Sequence, residues 1–144
     1  MVETIATYWE KQIKIYGVSE RPNLSLLRFS FPAAATSDLG FLVMEAESVC
    51  GRFELISAQA AGQEHFLLNL VAARQETAQI SEVLAPAVVG RWKSELEIIS
   101  PVAAIYFHGP HFQDRFGIAY ATEKALASHE VSMFFCGCAG TSIY

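Results

Sequence analysis

The sequence is short of basic residues, and this scarcity excludes one class of partner. Ten Lys and Arg stand against fifteen Asp and Glu, which gives a formal net charge of −5 at pH 7 over 144 residues. Nucleic-acid phosphates are bound by clustered basic side chains, and the strongest basic cluster is only Arg91 with Lys93. We therefore expect no nucleic-acid partner. The same charge balance disfavours binding to anionic membrane surfaces.

Long hydrophobic runs and cysteines are also scarce. No apolar stretch approaches the roughly 18 residues that a membrane helix needs, and the first residues lack the basic and apolar regions of a signal peptide. The three cysteines, Cys50, Cys136 and Cys138, are a small and odd number in a chain that is 52% hydrophobic. Such a chain builds its core without disulfides. We therefore expect reduced thiols, no membrane partner and a cytoplasmic location.

Signature motifs of several enzyme classes are absent as well. The sequence contains no Walker A loop, no Gly-x-Gly-x-x-Gly and no Gly-x-Ser-x-Gly elbow. Its acidic pairs, Glu45 with Glu47 and Glu95 with Glu97, have a spacing that is typical of solvated faces. We expect a protein without catalytic activity and without a cofactor.

The hydrophobic pattern that is present predicts alternating strands and helices. The predicted strands are 12–18, 24–31, 53–58, 65–71, 96–99, 102–108, 131–135 and 142–144. Pro101 is expected either inside the strand that begins at 96 or just after it. Three helices are predicted, capped by Ser37 or Asp38, by Thr77 and by Asp114. Turns are predicted at 21–23, 61–64 and 136–141, and a loop at 109–113. Gly51 is expected to end the first helix, and Pro86 to kink or break the second.

The order of these elements indicates a tandem repeat. A shift of 77 positions places Gly117 on Gly40, and strand, loop and helix then coincide between the copies. The order β-α-β-β-α-β is the ferredoxin-like pattern. We therefore predict an α+β fold of two ferredoxin-like repeats, residues 24–100 and an incomplete 101–144, with antiparallel sheets and helices on one face.

The incomplete second repeat leaves two interpretations open. In the first, residues 1–23 supply a helix and a strand that complete it. In the second, the repeat is short and a partner chain covers the edge of its sheet. Exposed strand edges and the 52% hydrophobic composition both favour an oligomer, and we expect a homodimer or a larger assembly.

Each copy places an acid and a glycine where a strand leads through a loop into a helix. The first copy reads Asp38-Leu39-Gly40, and the second reads Asp114-Arg115-Phe116-Gly117. A helix N-terminus offers unpaired N–H groups and a partial positive charge, which can hold a carboxylate. A glycine there allows a ligand or a second backbone segment to approach closely.

These strand–loop–helix segments resemble those of the ACT family of small-molecule sensing domains. The pieces that carry the resemblance are His108-Gly109-Pro110-His111, Gly117-Ile118-Ala119 and Cys136-Gly137-Cys138. They are similar to the tandem ACT repeats in the regulatory region of aspartate kinases, and the likeness extends over residues 24–144. Neither copy has the proline that precedes the glycine in that family.

The resemblance implies a regulatory, allosteric sensor that binds an amino acid and acts through ligand-dependent pairing of subunits. It assigns the ligand site to one loop and helix start: Gly109, His111, Gln113, Asp114, Arg115, Gly117 and Ile118. In this assignment Arg115 binds the ligand carboxylate and Asp114 binds its ammonium group, both through charge-assisted contacts.

Each of these signals also has a plainer explanation. Capping alone accounts for Asp114, and His108 and His111 lack a third metal ligand at a suitable spacing. Cys136 and Cys138 fit a redox or soft-metal pair, but small buried cysteines in strands are common and we favour that explanation. Two alternative functions therefore stand beside the sensor: a thiol or metal-binding protein, and a ligand-free dimerisation module whose loop 109–117 is filled by its own side chains.

Overall fold

The computed structural model of the chain describes residues 12–110, 112 and 116–144. The chain forms two compact units. The central unit is Arg21–Ala104, and the described part of the terminal unit comprises residues 12–20 and the described residues from Ile105 to Tyr144. The strands are β1 Gly17–Pro32, β2 Leu55–Ala60, β3 His65–Ala73, β4 Glu97–His108, β5 Cys138–Ala139 and β6 Ser142–Ile143. The α-helices are α1 Thr36–Cys50, α2 Thr77–Ala85 and α3 Ile118–Ala127.

The central unit is a complete β-α-β-β-α-β arrangement. Its strands lie in the order β2-β3-β1-β4, and β3 pairs antiparallel with both β1 and β2. The hairpin between β2 and β3 turns at Gly62, which has a φ of 90°, and the Ala61 N–H donates to the His65 carbonyl at 2.8 Å. The predicted α+β, ferredoxin-like fold and the predicted hairpin are confirmed.

The core of the central unit lies between the sheet and two helices. The apolar residues of α1 recur every three or four positions and form one buried stripe, because a helix turns every 3.6 residues. That core consists of Leu27, Phe29, Phe31, Leu39, Leu42, Ala46, Cys50, Leu68, Leu70, Ala72, Ile80, Leu84 and Val88. The ring of Trp92 lies 6.1 Å from that of Phe29 and 5.9 Å from that of Phe31, centroid to centroid.

A row of polar side chains crosses neighbouring strands of the same unit. Asn69 on β3 faces Arg28 on β1 and Ser57 on β2 in the strand register. The Arg28 Nε donates to the Asn69 Oδ1 at 2.9 Å, and the Arg28 guanidinium lies 3.5 Å from the Glu97 carboxylate. Asn69 is fully buried. Charge-assisted bonds of this kind add specificity to strand register, because a slip would leave buried polar groups unpaired.

One predicted turn is wrong, and two predicted strands form a single strand. The turn predicted at Arg21-Pro22-Asn23 lies inside β1, where Asn23 has a φ of 60° and the strand continues. Likewise, the predicted strands 96–99 and 102–108 form the single strand β4, which runs through Pro101. A proline interrupts a strand only where its missing N–H is needed for the ladder.

The predicted caps of α1 and α2 are also wrong, although both predicted helix interruptions are confirmed. Neither Ser37 nor Asp38 caps α1, which follows Ala35. Glu76 rather than Thr77 precedes α2. Gly117 precedes α3, and the predicted cap Asp114 lies outside the described residues. Gly51 ends α1 with a φ of 74°. At Pro86 the α2 helix changes to a π-helical turn, Pro86–Arg91.

The described part of the terminal unit has a short sheet and one helix. The end of β4 pairs with β6, and β6 pairs with β5, both antiparallel. The predicted turn 136–141 therefore contains β5, and the reversal occurs at Gly140, which has a φ of 60°. The predicted strand 131–135 is wrong, because those residues lie outside any strand. Strand propensity becomes a strand only where a neighbouring backbone completes the ladder.

No helix among the described residues is long and apolar enough to cross a membrane.

Candidate ligand-binding site

A small aromatic core joins the end of β4 to the start of α3. Phe107 and Phe112 make an edge-to-face contact with ring centroids 5.8 Å apart. Ile118 and Ile143 complete the buried cluster, and Cys136 packs against it. Because Ile118 is the first residue of α3, this cluster holds the helix N-terminus close to the strand end.

Gly109 follows β4 directly and lies in a crowded, buried position. A Cβ placed there would overlap the carbonyl oxygen of Lys14 and the ring of Phe112. The Gly109 N–H donates to the Thr141 carbonyl at 3.3 Å. Glycine is therefore required at this position by the close approach of the chain's own backbone and aromatic ring.

Gly117 has a different reason to be glycine. It precedes α3 with a φ of 87°, and no atom lies within 4 Å of the position a Cβ would take. This φ lies in the left-handed region of backbone conformation, which residues with a Cβ rarely adopt. Gly40, its predicted counterpart in the first copy, lies inside α1 and has no positive φ. The predicted equivalence of these two glycines is wrong, since one lies within a helix and the other opens one.

The first turn of α3 has backbone N–H groups that helix geometry leaves without intrahelical partners. No side chain among the described residues forms a capping hydrogen bond at this helix start, and its first turn contains no acidic residue. Unpaired N–H groups at a helix start carry a partial positive charge. The local geometry therefore suits a carboxylate or another acceptor at the end of the loop.

The structure describes three of the seven predicted site residues. Gly109 and Ile118 meet around Phe112, and Gly117 lies exposed at the helix start. His111, Gln113, Asp114 and Arg115 lie outside the described residues. Phe112 itself was missed by sequence reasoning. An aromatic residue inside an otherwise polar, glycine-bounded loop is the signal that indicates it, because such a ring finds burial close by.

The two C-terminal cysteines differ in environment. Cys136 is half-buried beside the aromatic core, whereas Cys138 is exposed and its Sγ donates to the Gly140 carbonyl at 3.4 Å. Burial raises the pKa of the Cys136 thiol above its ordinary value, and the neighbouring Cys138 raises it further. Within the described ranges, no three His, Cys, Asp or Glu side chains are grouped so that they could share a metal ion.

Cys136 is expected to be alkylated more slowly than Cys138. The raised pKa of Cys136 leaves less thiolate at a given pH, and the thiolate is the reacting form. Iodoacetamide labelling of the native protein near pH 8, followed by peptide mass spectrometry, measures both rates. Raising the pH should accelerate labelling of Cys136. Equal native rates would contradict this expectation, and equal rates in denaturant provide the control.

Comparisons with known proteins give matches among solved structures only. The sequence matches no protein-family model and no curated protein. The regulatory subunit of aspartate kinase from Thermus flavus is 12% identical with a TM-score of 0.72, over 90% of this chain and 85% of that one. The ligand-free regulatory subunit from Thermus thermophilus is 13% identical with a TM-score of 0.68, over 92% and 86%.

A longer protein matches in the same way. The aspartate kinase from Synechocystis is 13% identical with a TM-score of 0.72, and the match spans 97% of this chain but 25% of that enzyme. The chain therefore has an ACT-type, ferredoxin-like fold, and the fold-level resemblance to the regulatory region of aspartate kinases is confirmed.

Proposed function

We propose that this chain is a regulatory protein that binds an amino acid and has no catalytic activity of its own. The observation that carries the proposal is the match to the two Thermus regulatory subunits, which extends over at least 85% of each of them. A chain that shares nearly the whole of a regulatory fold is best explained as a regulator. Identity of 12–13% leaves the ligand to be determined by experiment.

We propose that the ligand binds at the loop that connects β4 to the start of α3. The proposed contacts are Gly109, His111, Gln113, Asp114, Arg115, Gly117 and Ile118. Arg115 binds the ligand carboxylate and Asp114 its ammonium group. Support comes from the start of α3, where no described side chain forms a capping hydrogen bond, and from the aromatic core that holds this start near the strand end.

The terminal unit is proposed to be the second repeat, with the residues before Arg21 as its missing part. The Tyr16 N–H donates to the His108 carbonyl at 2.8 Å, and Gly17 lies against the His108 ring. These contacts favour completion by the chain itself over completion by a partner. Among the described strands, β2 is the edge strand of the central unit and β5 that of the terminal unit, and sheet edges favour pairing of two copies. Ligand binding then shifts the population of paired subunits.

A thermal-shift screen against the twenty amino acids and zinc tests the proposal. A ligand at about 100 times its Kd adds roughly 2.7 kcal/mol to the free energy of unfolding, which raises the melting temperature measurably. We expect one amino acid to stabilise the protein, and Arg115→Ala to abolish the shift. Arg52→Ala, which removes an exposed arginine of the central unit, is the matched control and should keep it.

A dimerisation module without a ligand is the second candidate. The observation that favours it is Phe112, which is 4% exposed and packs beside Gly109 in the cluster with Phe107, Ile118 and Ile143. If no compound in the screen raises the melting temperature and light scattering shows a stable dimer, this function is favoured over the sensor. Stabilisation by zinc alone would instead favour the thiol or metal-binding alternative at Cys136 and Cys138.

A further inference from the structure

The outer surface of the helices in the central unit is both apolar and acidic, and the proposed ligand site does not use it. On α1, Phe41 is 74% exposed and Met44 is 66% exposed. A shallow groove, the helix groove, lies between α1 and α2. It is lined by Glu45, Val49, Gln79, Glu82, Val83 and Pro86.

The charged residues of the two helices have one sign. The two helices contain four acidic residues and no Lys or Arg. These four residues are Asp38, Glu45, Glu47 and Glu82. The Asp38 carboxylate is neutralised by Arg91 at 3.0 Å. Glu45 and Glu82 line the groove and form no ion pair with a described basic residue.

We propose that the helix groove binds an amphipathic α-helix of a partner protein. Apolar side chains of the partner cover Phe41, Met44 and Val49, and its Lys or Arg residues pair with Glu45 and Glu82. A groove between two packed helices matches the ridge of a third helix, and helix-in-groove recognition uses apolar anchors at i, i+3 and i+4. Exposed Phe and Met are suited to such contacts, because large and adaptable side chains contribute much of the energy at interfaces.

The charge of the groove selects this partner over the others. A second copy docking through the same surface would place carboxylates against carboxylates, and like-charge contacts across an interface are costly. Anionic lipid surfaces and nucleic acids are repelled for the same reason. A basic, amphipathic protein segment satisfies both the apolar and the acidic part of the surface.

A designed peptide tests the proposal directly. The probe is a fluorescein-labelled helix of about 16 residues, with leucine on one face and lysine elsewhere. A second peptide has the same leucine face with glutamate in place of lysine. Fluorescence anisotropy at about 0.15 M salt, where long-range charge effects are screened, should show saturable binding of the lysine peptide. Binding of the glutamate peptide should be at least about tenfold weaker.

Two double variants of equal net charge distinguish specific binding in the helix groove from general electrostatic attraction to an acidic protein. The double variant Glu45→Lys/Glu82→Lys should weaken binding of the lysine peptide at least about tenfold. The variant Glu95→Lys/Glu123→Lys has the same net charge, alters exposed acids elsewhere, and should leave binding unchanged. Equal losses in both variants would overturn the proposal, because binding would then follow net charge alone.

The apolar part of the surface is tested in the same way. Phe41→Ser/Met44→Ser should weaken peptide binding to a similar degree, whereas Phe116→Ser, at a position that is 97% exposed, should leave it unchanged. Circular dichroism melts verify that each variant folds. If Phe41→Ser/Met44→Ser instead dissociates a dimer, the surface is an interface between copies. If it abolishes binding of the protein to neutral phosphatidylcholine vesicles, the surface is a membrane contact. Either result overturns the proposal.

Discussion

Replacing Phe29 by alanine is expected to lower the free energy of unfolding of the central unit by about 3–5 kcal/mol. Phe29 is 1% exposed and lies in the middle of the buried cluster between the sheet and its helices. Its removal opens a cavity that the neighbouring strands and helices close only in part. The lost transfer free energy and the lost packing then add, and the sum is a large fraction of the 5–15 kcal/mol that stabilises a typical domain.

Trp92 provides the readout for this variant. Its ring centroid lies 6.1 Å from that of Phe29, so tryptophan emission reports on the affected core. Urea unfolding in a Trp9→Phe background makes Trp92 the sole tryptophan. Phe116→Ala is the matched control, since Phe116 is 97% exposed and exposed substitutions stay within about 0.5 kcal/mol. Equal unfolding midpoints for the two alanine variants would contradict the assignment of Phe29 to the core.

Gly109→Ala is expected to destabilise the terminal unit by about 3 kcal/mol, at the upper end of the range for overpacked sites. The added methyl group overlaps the Lys14 carbonyl oxygen and the ring of Phe112. A backbone oxygen cannot rotate away as a flexible side chain can, so the strand end or the loop must shift. Thermal unfolding followed by circular dichroism measures the loss.

Alanine variants at two other glycines distinguish the effect of steric crowding from the effect of backbone conformation. Gly117→Ala adds a methyl group where there is space but the φ is 87°, and about 1–2 kcal/mol is expected from the left-handed geometry alone. Gly40→Ala lies inside α1 with open space around it, so it should stabilise the protein by about 0.5–1 kcal/mol. The explanation of Gly109 by close approach would be wrong if its alanine variant were no less stable than that of Gly117.

The sequence predicted those features that depend on neighbouring residues. The helical spacing of Leu39, Leu42, Ala46 and Cys50 predicts one buried stripe on α1, which the core contains. Gly51 ends this helix because a glycine adopts positive φ without steric cost. The change of helix type at Pro86 follows from its missing N–H. The element order, and with it the ferredoxin-like fold of the central unit, rests on signals of this local kind.

Other features depended on strands that are distant in the chain. Pro101 has no N–H to donate. It therefore ends a strand only where the neighbouring strand would need a hydrogen bond at that position, and β4 continues through it. Residues 131–135 have the alternation of a strand, but the ladder forms at Cys138 and Ala139 instead. Phe112 is buried only because β4, β6 and α3 converge on it.

The two candidate binding surfaces differ in the same way, since one depends on neighbouring residues and the other on tertiary packing. The loop and helix start at Gly109 to Ile118 could be located from motifs, since glycines and caps act over a few residues. The helix groove could not be located in this way. Glu45 and Glu82 lie 37 positions apart in the printed sequence, and only the packing of α1 beside α2 places them along one groove. Local periodicity determines which face of each helix is buried, whereas the surface that two helices form together is determined by their packing.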